Sequence, residues 1–160
     1  MMKFTPLILL AAMLANPAAA LAADSHDHGA AAPQKIALNA GKKWMTDAPL
    51  RQAMTAMRAS VGVILPLAHD GTATAAQFEA LSHEVNAQVA AIVQNCKLDA
   101  KADAQLHTVI AELLNGAEVA EGKQQGKSRA AGVVQIAQGL NTYGRYFDHA
   151  GWKGIPLPKH

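Results

Sequence analysis

Residues 74–96, "TAAQFEALSHEVNAQVAAIVQNC", carry their apolar side chains at Phe78, Leu81, Val85, Val89, Ile92 and Cys96, at intervals of 3, 4, 4, 3 and 4. That spacing keeps one face of an α-helix apolar and leaves the rest for water. Thr74 stands at the start with Gln77 three positions on, the arrangement of a reciprocal N-terminal capping box. The period places Cys96 on the inward face, in the last turn. One such helix cannot bury its stripe alone, so the flanking sequence must supply partners.

It supplies three. Upstream, a helix is predicted from about residue 47 to 65 or 68, with Thr46 or Asp47 as N-cap and Pro49 tolerated in the first turn. Its stripe is Leu50, Met54, Met57, Val61 and Ile64, and Pro66 ends or kinks it. "HDGTAT", residues 69–74, is a loop. Downstream, a third helix begins after Asp99 and runs to about Glu121, with Asp103 or Leu106, then Ile110, Leu113, Leu114 and Ala117 inward and Gly116 as an interior weakness. Gly122 and Gly126 close it. A fourth covers about Ser128 to Asp148, with Val133, Ile136, Leu140, Tyr143 and Phe147 inward, and Gly132 and Gly139 permitting a close helix approach. Four helices of similar length with short connections predict an all-α, antiparallel up-down four-helix bundle. The tail "GWKGIPLPKH" cannot remain helical with Pro156 and Pro158.

Composition agrees. Hydrophobic residues make up 51% of the 160-residue chain but aromatics only 4%, so the core is built from Ala, Leu, Ile, Val and Met, which is helical material. The N-terminus reads as a secretory signal peptide: Lys3, the short apolar run "PLILLAAML", then small residues. Cleavage after Ala22 fits best, with Ala23 as the alternative. The expected organisation is therefore a signal peptide over 1–22, a flexible segment over 23–43, the bundle over 44–152 and an extended tail over 153–160. The destination is the periplasm if the source is Gram-negative, and no later stretch is apolar enough to span a membrane. The formal charge of +2 is not gathered into a basic stripe, which argues against nucleic acid as a partner.

A single cysteine excludes an internal disulfide and covalent haem attachment through two cysteines. In an oxidising compartment such a thiol is buried, metal-bound or used to dimerise. Antiparallel order brings the start of the first helix, the end of the second, the start of the third and the end of the fourth to one end of the bundle. Trp44, Met45, Met54, Cys96, His107, Tyr143, Tyr146, Phe147, His149 and Trp152 all fall toward it. At about 1.5 Å rise per residue, Met54 and His107 both lie roughly 10 Å in from that end. Thioether, thiolate and imidazole together suit Cu(I), with zinc and haem iron as competitors. The candidate metal ligands are thus Cys96, His107, Met54 and Met45, with Tyr143, Phe147, Trp44 and Trp152 lining the site. A second candidate sits near the leader boundary. Cleavage after Ala23 would start the mature chain at Asp24-Ser25-His26, a square-planar Cu(II) or Ni(II) motif to which His28 adds affinity.

Plainer readings stand beside these. Cysteine behaves as a small buried hydrophobe. Met54 and Met57 at helical spacing fill cores, and His107 borders the stripe and can simply hydrogen-bond a neighbour. The aromatic residues can merely close the bundle end, and residues 24–28 can be a polar tail. Asp99 and Asp103 suit a helix start better than an acid pair. No nucleophile elbow, phosphate loop or zinc-protease motif occurs, so no enzyme is predicted.

Two resemblances add expectations. "LRQAM", "LHTVIAELLNGAEVAEGK" and "LNTYGRYF" resemble segments of the soluble four-helix periplasmic cytochromes b over about residues 47–148. That likeness implies a haem b with Met54 as axial methionine. The family's axial histidine follows a tyrosine in its last helix, where this chain has Gly144 after Tyr143, so His107 would have to substitute. "KWMTDAPLRQAM", "NCKLDAKADAQLH" and "YGRYFDHAGW" are similar to a family of small exported proteobacterial four-helix proteins, which implies a helical periplasmic protein and supplies no activity. The functional expectation is a periplasmic metal-binding or metal-handling protein, with copper first and haem behind it. The alternative is a non-enzymatic interaction or adaptor protein without metal, docking another periplasmic protein on a tryptophan-rimmed end. A monomer or a dimer fits either.

Overall fold

A computed structural model describes residues 35–158 of the chain. The expected leader and the candidate ligands His26 and His28 lie outside the described residues. Four helices follow in order: α1 (Ala48–His69), α2 (Ala75–Asn95), α3 (Ala100–Glu121) and α4 (Arg129–Tyr146). Each is capped as its sequence dictates. Asp47 accepts from the Leu50 N–H, Thr74 and Gln77 form the reciprocal box, Asp99 accepts from Lys101 and Ala102, and Ser128 accepts from Ala131. Gly122 ends α3 in the left-handed region, with φ 85°.

The helices pack in a ring, α1 on α2, α2 on α3, α3 on α4 and α4 on α1. Their directions alternate. The Lys97 N–H, just past α2, donates to Asp47 at the head of α1, and Ser82 near the start of α2 donates to the Ala117 carbonyl late in α3. This is the antiparallel four-helix bundle. Phe78, Leu81, Val85, Val89 and Ile92 are buried together with Leu50, Met54, Met57, Val61, Leu106, Val109, Leu113, Val133, Ile136, Leu140 and Tyr143.

α3 and α4 meet most closely. A Cβ on Gly132 would stand 2.2 Å from the Ala120 nitrogen and 2.6 Å from the Gly116 carbonyl oxygen, and one on Gly116 would stand 2.9 Å from the Ile136 nitrogen. Gly116 is therefore not a weak point in α3 but one half of the contact that lets the two backbones touch. Pro66 does not end α1, which continues to His69. Pro66 and Gly62 both lie on the exposed face, so the Gly62 carbonyl, which Pro66 cannot reach with an N–H, opens toward solvent rather than into the core.

Both flanks of the bundle are tied down. Ahead of α1, where a flexible lead-in is expected to residue 43, the chain turns at Ala40 and Gly41, and Asn39 and Lys42 exchange backbone hydrogen bonds. Trp44 then pairs with the end of α4: its N–H donates to Tyr146, and its carbonyl accepts from Asp148. Trp44 is buried, with its indole N–H on the Ala37 carbonyl, and the Ala37 N–H reaches Gln105 on α3. Behind α4, residues 153–158 form neither helix nor strand and lie along α1 and α4 as a strap. Asn141 brackets Ile155, accepting from its N–H at 2.7 Å and donating to its carbonyl at 2.9 Å, while Arg58 donates to the Lys153 carbonyl at 2.6 Å. Ile155 joins the core.

Two glycines in helix interiors give opposite expectations. Gly132→Ala forces the α3–α4 contact apart and should cost about 1–3 kcal/mol or more. A Cβ on Gly62 meets nothing within 4 Å, so Gly62→Ala should gain about 0.5–1 kcal/mol from helix propensity alone. Urea unfolding of the two variants beside the parent chain measures both.

Candidate functional site

Two ties organise the bundle end formed by the head of α1, the end of α2, the head of α3 and the end of α4. The first is Asp47. One carboxylate oxygen caps α1 through Leu50 N–H at 3.0 Å, and the other accepts from Lys97 N–H at 2.7 Å in the α2–α3 connection. The Cys96 thiol also faces this carboxylate. Partial burial opposes the charge on Asp47, but the Lys97 and Leu50 N–H groups and the thiol outweigh it, and the carboxyl pKa lies below its ordinary value of 3.8. Cys96 feels the converse. Burial first, then the charge of Asp47 and its hydrogen bond, then the charge of Asp103, push the thiol up to about 12. Cys96 is not in the last turn of α2 but just past it, as its C-cap in extended conformation, half-buried. It is a protonated thiol at neutral pH, and its nucleophilic and metal-binding form is suppressed.

The second tie is aromatic. Tyr143 stacks on Phe147 with ring centroids 5.4 Å apart, and Trp152 meets Tyr143 edge-on at 5.0 Å and His149 at 4.9 Å. Arg58 lies over the Trp152 ring, 5.9 Å from its centroid. The Tyr143 hydroxyl is 3.0 Å from His149 Nδ1. Burial, then the Arg51 charge, depress the His149 pKa against a smaller opposing pull from Asp148, and burial raises that of Tyr143. With the phenol protonated and the imidazole neutral, the hydroxyl donates to Nδ1 in the tautomer that carries its ring proton on Nε2, which is the tautomer we assign. Arg51 donates to Thr46, at its carbonyl (2.6 Å) and its hydroxyl (3.1 Å), and Thr46 in turn donates to the Asp148 carbonyl.

Gly144 explains the departure from the cytochrome pattern in physical terms. A Cβ at that position would lie 2.2 Å from Trp152 Nε1 and 2.3 Å from Cδ1. The indole occupies the space a side chain at 144 would need. Its ring N–H is buried and has no hydrogen-bond partner among the described residues, a desolvation cost of about 1–3 kcal/mol that the packing of the ring must offset.

The four residues expected to share an ion lie in different environments. Met54 is fully buried among core side chains, Met45 is 69% exposed, and Cys96 is half-buried against Asp47. The His107 side chain is 70% exposed; its Nδ1 lies 2.8 Å from the Asp103 carbonyl and 3.6 Å from the Asp103 carboxylate, one turn back on its own helix. That pairing has a sequence signal, the i, i+4 spacing of Asp103 and His107. Among the described residues, no group of three or more His, Cys, Asp and Glu side chains is arranged to hold a metal ion. Cys96 and His107 are instead engaged with different carboxylates, Asp47 and Asp103, and Met54 lies in the core. The lining residues Tyr143, Phe147 and Trp152 do converge, with Trp44 paired backbone to backbone beside Phe147. Trp44 is buried, and Trp152 is half-buried against Tyr143 and Gly144.

Open concavities of mixed polarity lie between α1 and α2 beside Pro49 and Asn95 and between α3 and α4, and a mostly apolar one lies toward the opposite end. Gly62, Leu65, Pro66 and His69 of α1 form one wall, and strap residues 155–158 the other, around a trough of about 380 Å³. A second trough of about 250 Å³ continues past Pro158 between α1 and the first turns of α4, sharing Leu65 and His69. The lining of the first trough is mostly apolar, with His69 as its one ionisable side chain. Nothing periodic marks it in the sequence; its signals are a proline one turn after a glycine on the exposed face of α1 and the "IPLP" tail.

Compared with known proteins, the chain matches no family model, no curated protein and no solved structure.

Asp47 should reveal itself in two measurements. Asp47→Ala loses a helix cap and the Lys97 anchor and should cost about 1–2 kcal/mol at neutral pH. Because the folded-state pKa is depressed, the stabilisation is complete above the ordinary value of 3.8 and is lost as pH falls through the folded value. The gap between parent and variant in urea titrations should therefore close below about pH 4. The same substitution should make Cys96 react several-fold faster with a disulfide reagent at pH 8, since it removes the charge that holds the thiol protonated.

Proposed function

We propose that this chain is a non-enzymatic interaction protein of the periplasm that seats an apolar side chain of a partner protein in the trough between α1 and the strap. One observation carries the reading. The groups best suited to chemistry are engaged with each other at one end, Cys96 with Asp47 and His149 with Tyr143, whereas the apolar trough at the other end is open. A concavity of that size lies in the range that takes a large side chain or a small ligand. The compartment rests on the basic start, short apolar run and small-residue boundary of residues 1–22. No helix among the described residues is long and apolar enough to cross a membrane.

Cu(I) handling is the rival. What favours it is that Asp103 links the two donors: its charge acts on Cys96, and its carboxylate approaches His107. Metal analysis of protein isolated from the periplasm separates the readings. The interaction reading expects substoichiometric copper and equal Cu(I) affinity for the parent, Cys96→Ser and His107→Ala. A stoichiometric ion lost with Cys96→Ser would overturn it.

The trough itself is tested by photo-crosslinking. A crosslinking residue at position 62, where a side chain meets no neighbour, should give a discrete adduct in the native periplasm. The same residue at Val93, an exposed position on α2, should not, and Leu157→Asp should abolish the adduct at 62. Equal labelling from both positions, or an adduct indifferent to Leu157→Asp, contradicts the assignment.

A further inference from the structure

The strap forms one wall of the trough, and a short hook, residues 147–152, connects it to α4. His149 stands in that hook as an uncharged acceptor for the Tyr143 hydroxyl, at 3.0 Å, and packs against Trp152 at 4.9 Å. Trp152 in turn sits on Gly144. Cations surround the hook: Lys43 donates to the Gly144 carbonyl at 2.7 Å, Arg51 lies beside His149, and Arg58 covers Trp152. Asp148 is the carboxylate within the hook and is exposed. Asp47, behind Tyr143, is already engaged by Lys97 and Leu50. A proton on His149 therefore adds a cation where three are in place and removes the lone pair that receives the tyrosine proton.

We propose that the hook is an acid-sensitive latch on the trough. Protonation of His149 ends its role as acceptor for the Tyr143 hydroxyl and sets a cation beside Arg51; the repulsion lifts Trp152 from Gly144 and frees the strap, so that the wall built from residues 155–158 comes away from α1. The strap's remaining anchors are few: the Asn141 bracket on Ile155, the Arg58 bond to Lys153, and the buried Ile155 side chain. This latch regulates the same trough the functional reading uses and in that sense rests on it, but its opening is observable without any partner.

The direction follows from linkage. His149 resists protonation in the fold relative to its ordinary value of 6.5. Below that value the loosened chain takes up a proton that the closed form refuses, so the closed form loses stability as pH falls and keeps it above.

Hydrogen exchange on the full chain, corrected for the intrinsic pH dependence, tests this at about pH 7.5 and about pH 5. The Ile155 amide, bonded to Asn141, should lose at least about tenfold in protection at the acid value, while the Val109 amide in the core of α3 keeps its own. His149→Gln should abolish the difference. An NMR titration of the His149 ring in the unaltered chain should give the same midpoint as the Ile155 change. Unchanged Ile155 protection, an equal acid loss in His149→Gln, or two distinct midpoints each overturns the latch. Nile red added to the same samples reports the trough separately. Dye that binds at neutral pH and leaves with the acid change supports both readings. Dye that never binds while Ile155 responds removes the trough reading and leaves the latch. Dye that binds while Ile155 stays protected at acid pH removes the latch and leaves the trough.

Discussion

The indole of Trp152 lies where any side chain at position 144 would have to stand, and the rest of this end of the molecule follows from that contact. A helix that ended at Tyr146 with a larger residue at 144 would leave the indole in water and turn the chain away from the bundle. With glycine there, the ring drops onto the α4 backbone, Tyr143 and His149 close around it, and Arg58 of α1 covers its outer face. The chain leaves this seat at Lys153 already aimed along the α1–α4 groove, where Asn141 receives Ile155. The trough near the opposite end of α1 thus owes its second wall to a packing contact far along the bundle.

The lone cysteine belongs to a different element of the same end. Its thiol abuts the carboxylate that caps α1 and anchors the α2–α3 connection. Neighbouring negative charge and burial keep it protonated, which is a physical reason for a single cysteine to persist in a chain whose N-terminus reads as an export signal: a thiol is slow to oxidise when it cannot readily become a thiolate. The same environment opposes its use as a copper ligand, because binding must first remove a tightly held proton.

Much of the fold was legible because it depends on local periods. The stripe from Phe78 to Ile92, the caps at Asp47, Thr74, Asp99 and Ser128, and the turn at Gly122 are each written within a few residues of where they act. The small residues at the α3–α4 contact were half legible: Gly132 suggests close approach, but Gly116 shows its purpose only once the two helices are side by side. At the candidate site, the shared bundle end was legible and the pairing of side chains was not. Sequence order alone brings Cys96, His107, Met54 and the aromatic residues to one end. Whether each points inward depends on rotation about the helix axis within a fraction of a turn, and there Met54 went to the core while His107 bonded back to Asp103. Asp47 and Cys96 are 49 positions apart and share no period. The trough left only the Gly62–Pro66 pair and the "IPLP" tail as signals, because one of its walls is a non-periodic tail that docks through long-range contacts.

That seat is most directly tested by Gly144→Ala in the full chain, followed by tryptophan emission and thermal unfolding. The account predicts that one methyl group displaces the indole: emission shifts to the red as Trp152 meets water, the melting temperature falls, and far-ultraviolet circular dichroism at low temperature stays that of an intact bundle. A variant with the parent's emission spectrum and melting temperature would show that Trp152 does not rest on residue 144, and the hook, the strap and the trough wall would lose their common support.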